Sequence, residues 1–237
     1  MGILRNAIIA ACITVLIGLL FIFTVTIINK TTEQEISEEP PSVIEIIKDN
    51  SKKIDLYTKY IREHNYKVFP ELAELIATGI IDTGEKFEMP SEFLLALSQV
   101  ESSFNYFVIS NADCIGLLQI NPKVWVQNKE NPHNLIKAGI LKQTIDLYDP
   151  VINLHAGAYI FKHYYKQGLQ KNSPNPLKYT LTKYFGGETN DHFLKFTTAL
   201  GEFLMFKYSV NKENALQHAP GRWSVGLCDD ERLTGEI

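Results

Sequence analysis

The feature that most constrains this chain is an uncharged stretch near its amino terminus. From Ala7 to Ile28, about 22 residues are rich in Ile, Leu, Val and Phe. As a helix rising about 1.5 Å per residue, the stretch reaches roughly 33 Å, enough to cross the core of a bilayer. A helix that is apolar on every side is seldom found buried in a small soluble domain. We therefore predict a transmembrane helix within an anchor that covers residues 1–30.

The charges beside this stretch predict its orientation. Arg5 precedes it, whereas Lys30 and an acidic run follow it. Together with the free amino terminus, this bias favours an amino terminus in the cytoplasm. A cleavable signal peptide is disfavoured by the length of the apolar run, and lipidation of Cys12 by its place before most of that run. The chain is thus expected to cross the inner, cytoplasmic membrane once, with everything after Lys30 in the periplasm or otherwise outside the cytoplasm.

The rest of the sequence divides into a linker, one domain and a tail. Residues 31–42 are acidic and contain Pro40 and Pro41, as in a stiff, extended linker. Residues 43–210 carry helical spacing of apolar side chains, and no segment shows the sustained alternation of a strand. Residues 211–237 lack periodicity and are expected to form an extended arm. The predicted fold class is an all-α domain preceded by one transmembrane helix.

Six helical segments are predicted within the domain. Two have clear starts: Asp149-Pro150 combines a capping side chain with a proline at the first turn, and Ser91 is a candidate N-cap. The predicted segments are Val43 to His64, Pro70 to Ile80, Ser91 to Glu101, a helix from Pro150, Pro176 to Tyr184, and Asp191 to Tyr208.

Charge and cysteine content limit the function. The formal net charge is −4 and no basic cluster is present, so nucleic-acid binding is not expected. His155 and His163 lie eight residues apart without a Cys or acidic partner at ligand spacing, so neither a metal nor a cofactor is predicted. In an oxidising compartment Cys114 and Cys228 could pair, or both could stay free thiols; the sequence leaves both possibilities open.

Glu101 is the residue best placed for chemistry. It falls where an apolar helix is predicted to end, and Leu97, Val100 and Phe104 lie around it at helical spacing. Apolar neighbours disfavour the charged carboxylate, as does the partial negative charge of a helix C-terminus. Both effects raise the carboxyl pKa, which is what a general acid needs near neutral pH.

Three blocks around Glu101 resemble the lytic transglycosylases of the soluble-lytic type, which share the lysozyme-like fold with goose-type lysozymes. Their spacing and order match the family pattern, and together they form a specific signal. The blocks are Glu101-Ser102-Ser103-Phe104 with Ser110, Gly116-Leu117-Leu118-Gln119 and Pro122; Asp149-Pro150 with Asn153, Gly157 and Tyr159; and Tyr184 with Gly186-Gly187.

The resemblance implies an activity and a site. Glu101 would protonate the glycosidic oxygen between N-acetylmuramic acid and N-acetylglucosamine in peptidoglycan. It would then act as base on the 6-hydroxyl of the same sugar, giving a 1,6-anhydro product, so one carboxylate suffices. Ser110 and Gln119 would line the sugar cleft, and Tyr184 would hydrogen-bond near Glu101 and orient it. Ser102 and Asn121 complete the expected substrate-binding set.

Departures from the family pattern leave alternatives open. Asp113 and Cys114 stand where Gly-Ala is usual, Leu118 replaces Met, Asn121 stands at a position where methionine is common, and Phe185 follows Tyr184 in place of Asn. Asp113 is either a turn residue or a carboxylate that positions water, as in a hydrolytic muramidase. A non-catalytic wall-binding subunit of an envelope-spanning machine is the other alternative, and the sequence names no partner in such an assembly.

Overall fold

The computed structural model describes residues 43–187 and 190–217, and their architecture is helical. Between α3 and α4, a π-helix covers Lys123–Gln127 and a 3-10 helix covers Thr144–Tyr148. Within the described ranges, the strand-like pairing consists of isolated bridges from Ile115 to Ile109 and Ile120. The all-α prediction is therefore confirmed. The helices are α1 Val43–His64, α2 Pro70–Phe87, α3 Ser91–Ser102, α4 Pro150–Gln170, α5 Pro176–Tyr184 and α6 Asn190–Gln217.

Several predicted segments lie outside the described residues. These are the anchor 1–30, the linker 31–42 and the part of the tail beyond residue 217. None of the helices in the described part of the chain combines the length and hydrophobicity that crossing a bilayer requires. The chain divides into two units at Ser51, and the interactions discussed below lie within the second, Lys52–Ile237.

Most predicted helix boundaries agree with the structure, and the differences have local causes. Helices α1 and α5 begin and end as predicted. Helix α2 was expected to end at Ile80 but runs to Phe87, because Thr83 and Gly84 are buried and continue its inner face. Helix α6 continues to Gln217, so the prediction of an extended arm is wrong for residues 211–217.

The start of α3 also differs from the prediction. Ser91 is the first residue of the helix and Pro90 is the N-cap, so the assignment of Ser91 as a capping residue was wrong. The Ser91 hydroxyl is instead hydrogen-bonded to the buried Tyr57 hydroxyl at 2.9 Å. A side chain with a tertiary partner no longer has to satisfy the free amides of its own helix.

Helix α6 packs on α1 and α3 through aromatic side chains and a polar chain. The fully buried Phe203 ring meets the rings of Tyr57 and Tyr60 edge-on, each with centroids 5.0 Å apart. The Tyr60 hydroxyl donates to Gln99 Oε1 at 2.7 Å, and Gln99 Nε2 donates to Glu202 at 2.8 Å. Helix α3, which carries Glu101, is thus fixed by contacts from two other helices.

Candidate active site

The end of α3 places Glu101 in the last helical turn. Ser103 and Phe104 adopt left-handed backbone angles, with φ of 51° and 61°. Their amides donate back to the carbonyls of Gln99 and Ser98, which closes the helix. Phe104 is fully buried and anchors this reversal in the core. The helix therefore ends at Ser102, one residue after Glu101, and the chain reverses direction into the rest of the first block.

The surroundings of Glu101 disfavour its charged form. Leu97 and Phe104 are fully buried and Val100 is partly buried, whereas the glutamate itself is only partly buried. Desolvation raises the pKa of the Glu101 carboxyl to about 8. Among the described residues its side chain has no hydrogen-bond or ion-pair partner that would stabilise the charged form, and with this pKa the carboxyl is protonated at neutral pH. This matches the electrostatic prediction from the sequence.

The segment after Glu101 folds into a short, tightly bonded loop that contains Ser110 and Gln119. Ile115 and Ile120 exchange backbone hydrogen bonds at 2.9 and 3.0 Å. Gln119 has a left-handed φ of 45°, and its Nε2 donates to the Gly116 and Val108 carbonyls. The Ser110 hydroxyl accepts from the Cys114 amide at 3.1 Å. Both predicted cleft residues are therefore used in part to hold the loop in shape.

A single buried amide joins this loop to helix α4. Asn153 Oδ1 accepts from the Leu118 amide at 2.8 Å. Its Nδ2 donates to the carbonyls of Ile115 at 2.9 Å and Leu147 at 2.8 Å. Asn153 thus satisfies three backbone groups that would otherwise be buried without partners. The spacing Asp-Pro-x-x-Asn in the second block pointed to this residue, but the sequence did not reveal its role as the organiser of the loop.

Two glycines allow the loop and α4 to approach closely. A Cβ at Gly116, whose φ is 80°, would lie 2.3 Å from Asn153 Nδ2. A Cβ at Gly157 would lie 2.2 Å from Leu118 Cδ1 and 2.9 Å from the Tyr184 hydroxyl. Side chains at these positions would push the loop off the helix. The close packing of the loop against α4 therefore explains why Gly116 and Gly157 are both glycines.

Tyr184 connects the third block to the same contact. Its hydroxyl donates to the Leu118 carbonyl at 2.9 Å. Burial raises the pKa of Tyr184 well above its usual value, and the nearby Glu101 and Cys114 add to the shift. Tyr184 is thus close enough to Glu101 to be affected by its charge, but its hydroxyl bonds the loop backbone and not the carboxyl.

The remaining candidates have local partners. The Ser102 hydroxyl donates to the Ser98 carbonyl one turn earlier. Asn121 Oδ1 accepts from the amides of Lys123 and Val124 at the start of the π-helix. Asp113 has a left-handed φ of 60° and forms an exposed ion pair with Lys123 at 2.7 Å. Asp113 thus has the geometry of a turn residue and a cationic partner of its own.

His163 and His155 belong to different surroundings. The ring of His163 lies against that of His133, with centroids 3.8 Å apart, and is hydrogen-bonded to Gln167. His155 contacts Lys86 and Phe87. Within residues 43–187 and 190–217, no group of three or more His, Cys, Asp or Glu side chains converges as a metal site. Cys228 lies outside the described residues, so the structure does not test the two alternatives of a pair with Cys114 and two free thiols.

The described part of the chain is thus a helical domain with a desolvated glutamate at a helix end, which is an arrangement suited to a protein that uses a carboxyl as general acid. Comparison with known families shows what this part of the chain resembles. Residues 79–191 match the family described as "Transglycosylase SLT domain", and this segment contains all three blocks. The resemblance to transglycosylases of the soluble-lytic type is therefore confirmed.

Curated relatives agree with this family. The chain is 33% identical over 109 residues to membrane-bound lytic murein transglycosylase C of Salmonella arizonae, which is 43% of this chain and 28% of that protein. It is 33% identical over 110 residues to the protein of the same name from Yersinia enterocolitica, covering 44% and 29%. The corresponding Pectobacterium atrosepticum protein is 33% identical over 109 residues, covering 44% and 29%. The matches thus span less than a third of each relative.

Proposed function

We propose that this protein is a peptidoglycan lytic transglycosylase in which Glu101 acts as both acid and base. The observation that carries the proposal is the Glu101 carboxyl, whose pKa of about 8 keeps it protonated at neutral pH inside a segment that matches the transglycosylase family. The murein named in the relatives' descriptions supports the same substrate class.

The proposed reaction needs no second carboxylate. Protonated Glu101 donates its proton to the glycosidic oxygen, the bond from that oxygen to C1 of the muramic acid unit breaks, and the other glycan leaves as an alcohol. The carboxylate then takes the proton of the 6-hydroxyl, whose oxygen bonds to C1 to give the 1,6-anhydro sugar. Glu101 ends protonated again and no water is consumed.

Ser110, Gln119, Ser102, Asn121 and Tyr184 are proposed to surround the sugar. The loop that holds Ser110 and Gln119 is tied to α4 by Asn153, so their remaining polar atoms have fixed positions. Tyr184 acts through the Leu118 carbonyl, which keeps this loop beside Glu101. A rigid, pre-shaped binding site lowers the entropy lost when a glycan strand binds.

The lytic outcome is favoured over hydrolysis by Asp113. In a hydrolytic muramidase this carboxylate would hold the attacking water, but here its Oδ2 lies 2.7 Å from Lys123 Nζ and the side chain is exposed. A carboxylate paired in solvent with a lysine is poorly suited to act as a base.

We also propose that the protein is a single-pass inner-membrane enzyme with its catalytic domain in the periplasm. The apolar stretch from Ala7 to Ile28 supports this topology, as do relatives described as membrane-bound. Labelling of a cysteine introduced at Glu63, an exposed residue of α1, in cells whose outer membrane is permeabilised tests it. Labelling by a membrane-impermeant maleimide is expected; protection until the inner membrane is lysed would contradict the topology.

The activity is tested by product chemistry. Full-length protein in mild detergent is incubated with purified sacculi, and the released muropeptides are analysed by mass spectrometry. Anhydro ends are expected for the wild type and none for Glu101→Gln. Glu88→Gln serves as control, because Glu88 has an 83% exposed side chain and is paired with Lys162. Reducing ends would establish a hydrolase, and unchanged activity of Glu101→Gln would remove Glu101 from the mechanism.

A further inference from the structure

A group of apolar side chains is exposed beside the loop that follows Glu101. The side chains of Phe107 and Ile109 are 64% and 53% exposed, while Val108 between them is partly buried. The Phe107 ring packs against Tyr148, with centroids 5.1 Å apart, and against Tyr106 at 5.7 Å. We call Tyr106, Phe107 and Tyr148 the aromatic shelf. Isolated exposed apolar residues are common, whereas a cluster of this kind at a fixed surface suggests a ligand.

The shelf is rigidly attached to the candidate active site. The Val108 carbonyl accepts from the Gly116 amide at 2.9 Å and from Gln119 Nε2 at 3.3 Å. The other side of the shelf, Tyr148, follows Leu147, whose carbonyl accepts from Asn153. Since Asn153 also holds Leu118, the shelf and the loop beside Glu101 share one hydrogen-bonded framework.

The chemistry of the shelf fits a sugar ring. A pyranose has an apolar face of C–H groups that packs against an aromatic ring, and hydroxyls at its edge that stay in water. The exposed Phe107 ring offers the first surface, and the partly buried rings of Tyr106 and Tyr148 pack against it and hold it in place. Because Val108 and Gln119 fix the shelf to the loop proposed to bind the sugar, a strand bound at Glu101 is the ligand that this position favours.

We propose that the aromatic shelf is a glycan-binding subsite in which Phe107 stacks on a pyranose ring of the peptidoglycan strand. This inference rests on the proposed function and adds a residue that determines how firmly the strand is held. Phe107 contacts substrate away from the bond that breaks, so it contributes to binding and not to proton transfer. Its loss weakens strand binding without slowing the chemical step.

The test separates binding from turnover. The dissociation constant of purified glycan strands is measured for full-length Glu101→Gln, with and without Phe107→Ala, and kcat and KM are measured in the active background. We expect Phe107→Ala to raise both Kd and KM roughly three- to tenfold with kcat unchanged. Phe107→Trp, which keeps an aromatic face, is expected to retain wild-type values. Tyr66→Ala is the matched control, because Tyr66 is an 81% exposed aromatic residue in the turn after α1.

The outcomes distinguish the subsite from the activity. If the wild-type protein cleaves strands and Phe107→Ala changes neither Kd nor KM, the subsite proposal is wrong and the proposed function is unaffected. Equal losses for Phe107→Ala and Phe107→Trp also overturn it, since an aromatic face would then not be what is needed. A wild-type protein that neither binds nor cleaves the strands overturns both proposals. Equal melting temperatures for the variants establish that a change in Kd comes from the surface and not from unfolding.

Discussion

The environment that raises the pKa of Glu101 also lowers the free energy of unfolding at neutral and higher pH. In the unfolded chain its carboxyl has an ordinary pKa near 4.5, whereas desolvation raises the pKa to about 8 in the folded protein. The folded state therefore holds the proton more tightly, and this residue costs stability as the pH rises from about 4.5 to about 8. Above that range the cost is constant, because the carboxyl is ionised in both states.

Replacing this carboxyl by a neutral amide removes the cost. We expect Glu101→Gln to be more stable than the wild type by about 1–3 kcal/mol at pH 8, with the difference shrinking as the pH falls to 5. Urea unfolding of both proteins at the two pH values measures it. Glu88→Gln, at an exposed paired glutamate, should show no such gain at pH 8; an equal gain there would point to net charge as the cause.

The close contact at Gly157 gives a second prediction at the scale of one residue. A Cβ at this position would lie within 2.9 Å of the Leu118 side chain and the Tyr184 hydroxyl. We expect Gly157→Ala to lower the free energy of unfolding by about 1–3 kcal/mol and to reduce activity, because the loop must move off α4. Gly201→Ala is the control, since a Cβ at Gly201 meets nothing within 4 Å. Similar behaviour of the two variants would mean that helix propensity alone is at work.

At the scale of elements, the caps decide where the helices begin and end. Asp149 Oδ1 accepts from the amides of Val151 and Ile152 at 2.8 and 2.9 Å, as the pair Asp149-Pro150 predicted. The end of α3 uses backbone alone, through the left-handed Ser103 and Phe104. A side-chain cap can be predicted from the residue type, whereas a helix end formed by non-glycine residues in the left-handed conformation cannot.

The contribution of the Asp149 N-cap to the free energy of unfolding can be measured by substitution. Asp149→Ala is expected to lower the free energy of unfolding by about 1 kcal/mol, because two amides lose their acceptor. Asp149→Asn should restore most of the loss, since an amide oxygen can also cap. Thermal melts of the three proteins provide the comparison; an Asn variant as unstable as the Ala variant would instead indicate a role for the negative charge.

The sequence predicts features that depend on residues close together along the chain. Local patterns predicted α1, α5, the Asp149 cap and the apolar surroundings of Glu101. Contacts between distant segments were not accessible in this way. Thus the sequence predicts Ser91 as a cap, whereas its hydroxyl is hydrogen-bonded to Tyr57. The hydrogen bond from Tyr184 to Leu118 likewise depends on the packing of α5 against the loop. The role of Asn153 was hidden for the same reason.

At the scale of the whole molecule, α6 secures the helix that carries the carboxyl. Phe203 is fully buried against Tyr57 and Tyr60, and its neighbour Leu204 is 50% exposed. We expect Phe203→Ala to cost about 3–5 kcal/mol of stability, because it leaves a cavity in the core. Leu204→Ala should be close to neutral. Denaturant unfolding of both variants measures the effect, and equal small losses would show that α6 contributes little to the core.

The position of Asn153 has a consequence for insertions and deletions. The Asn153 side chain bonds the amide of Leu118 and the carbonyl of Leu147. It therefore holds together the two ends of the segment between these residues. Much of this segment is core, including Trp125, Leu135 and Leu141, but residues 136–139 form an exposed turn whose length can change without disturbing the packing around Glu101. We therefore expect this turn to tolerate insertions and deletions better than the buried segments on either side of it.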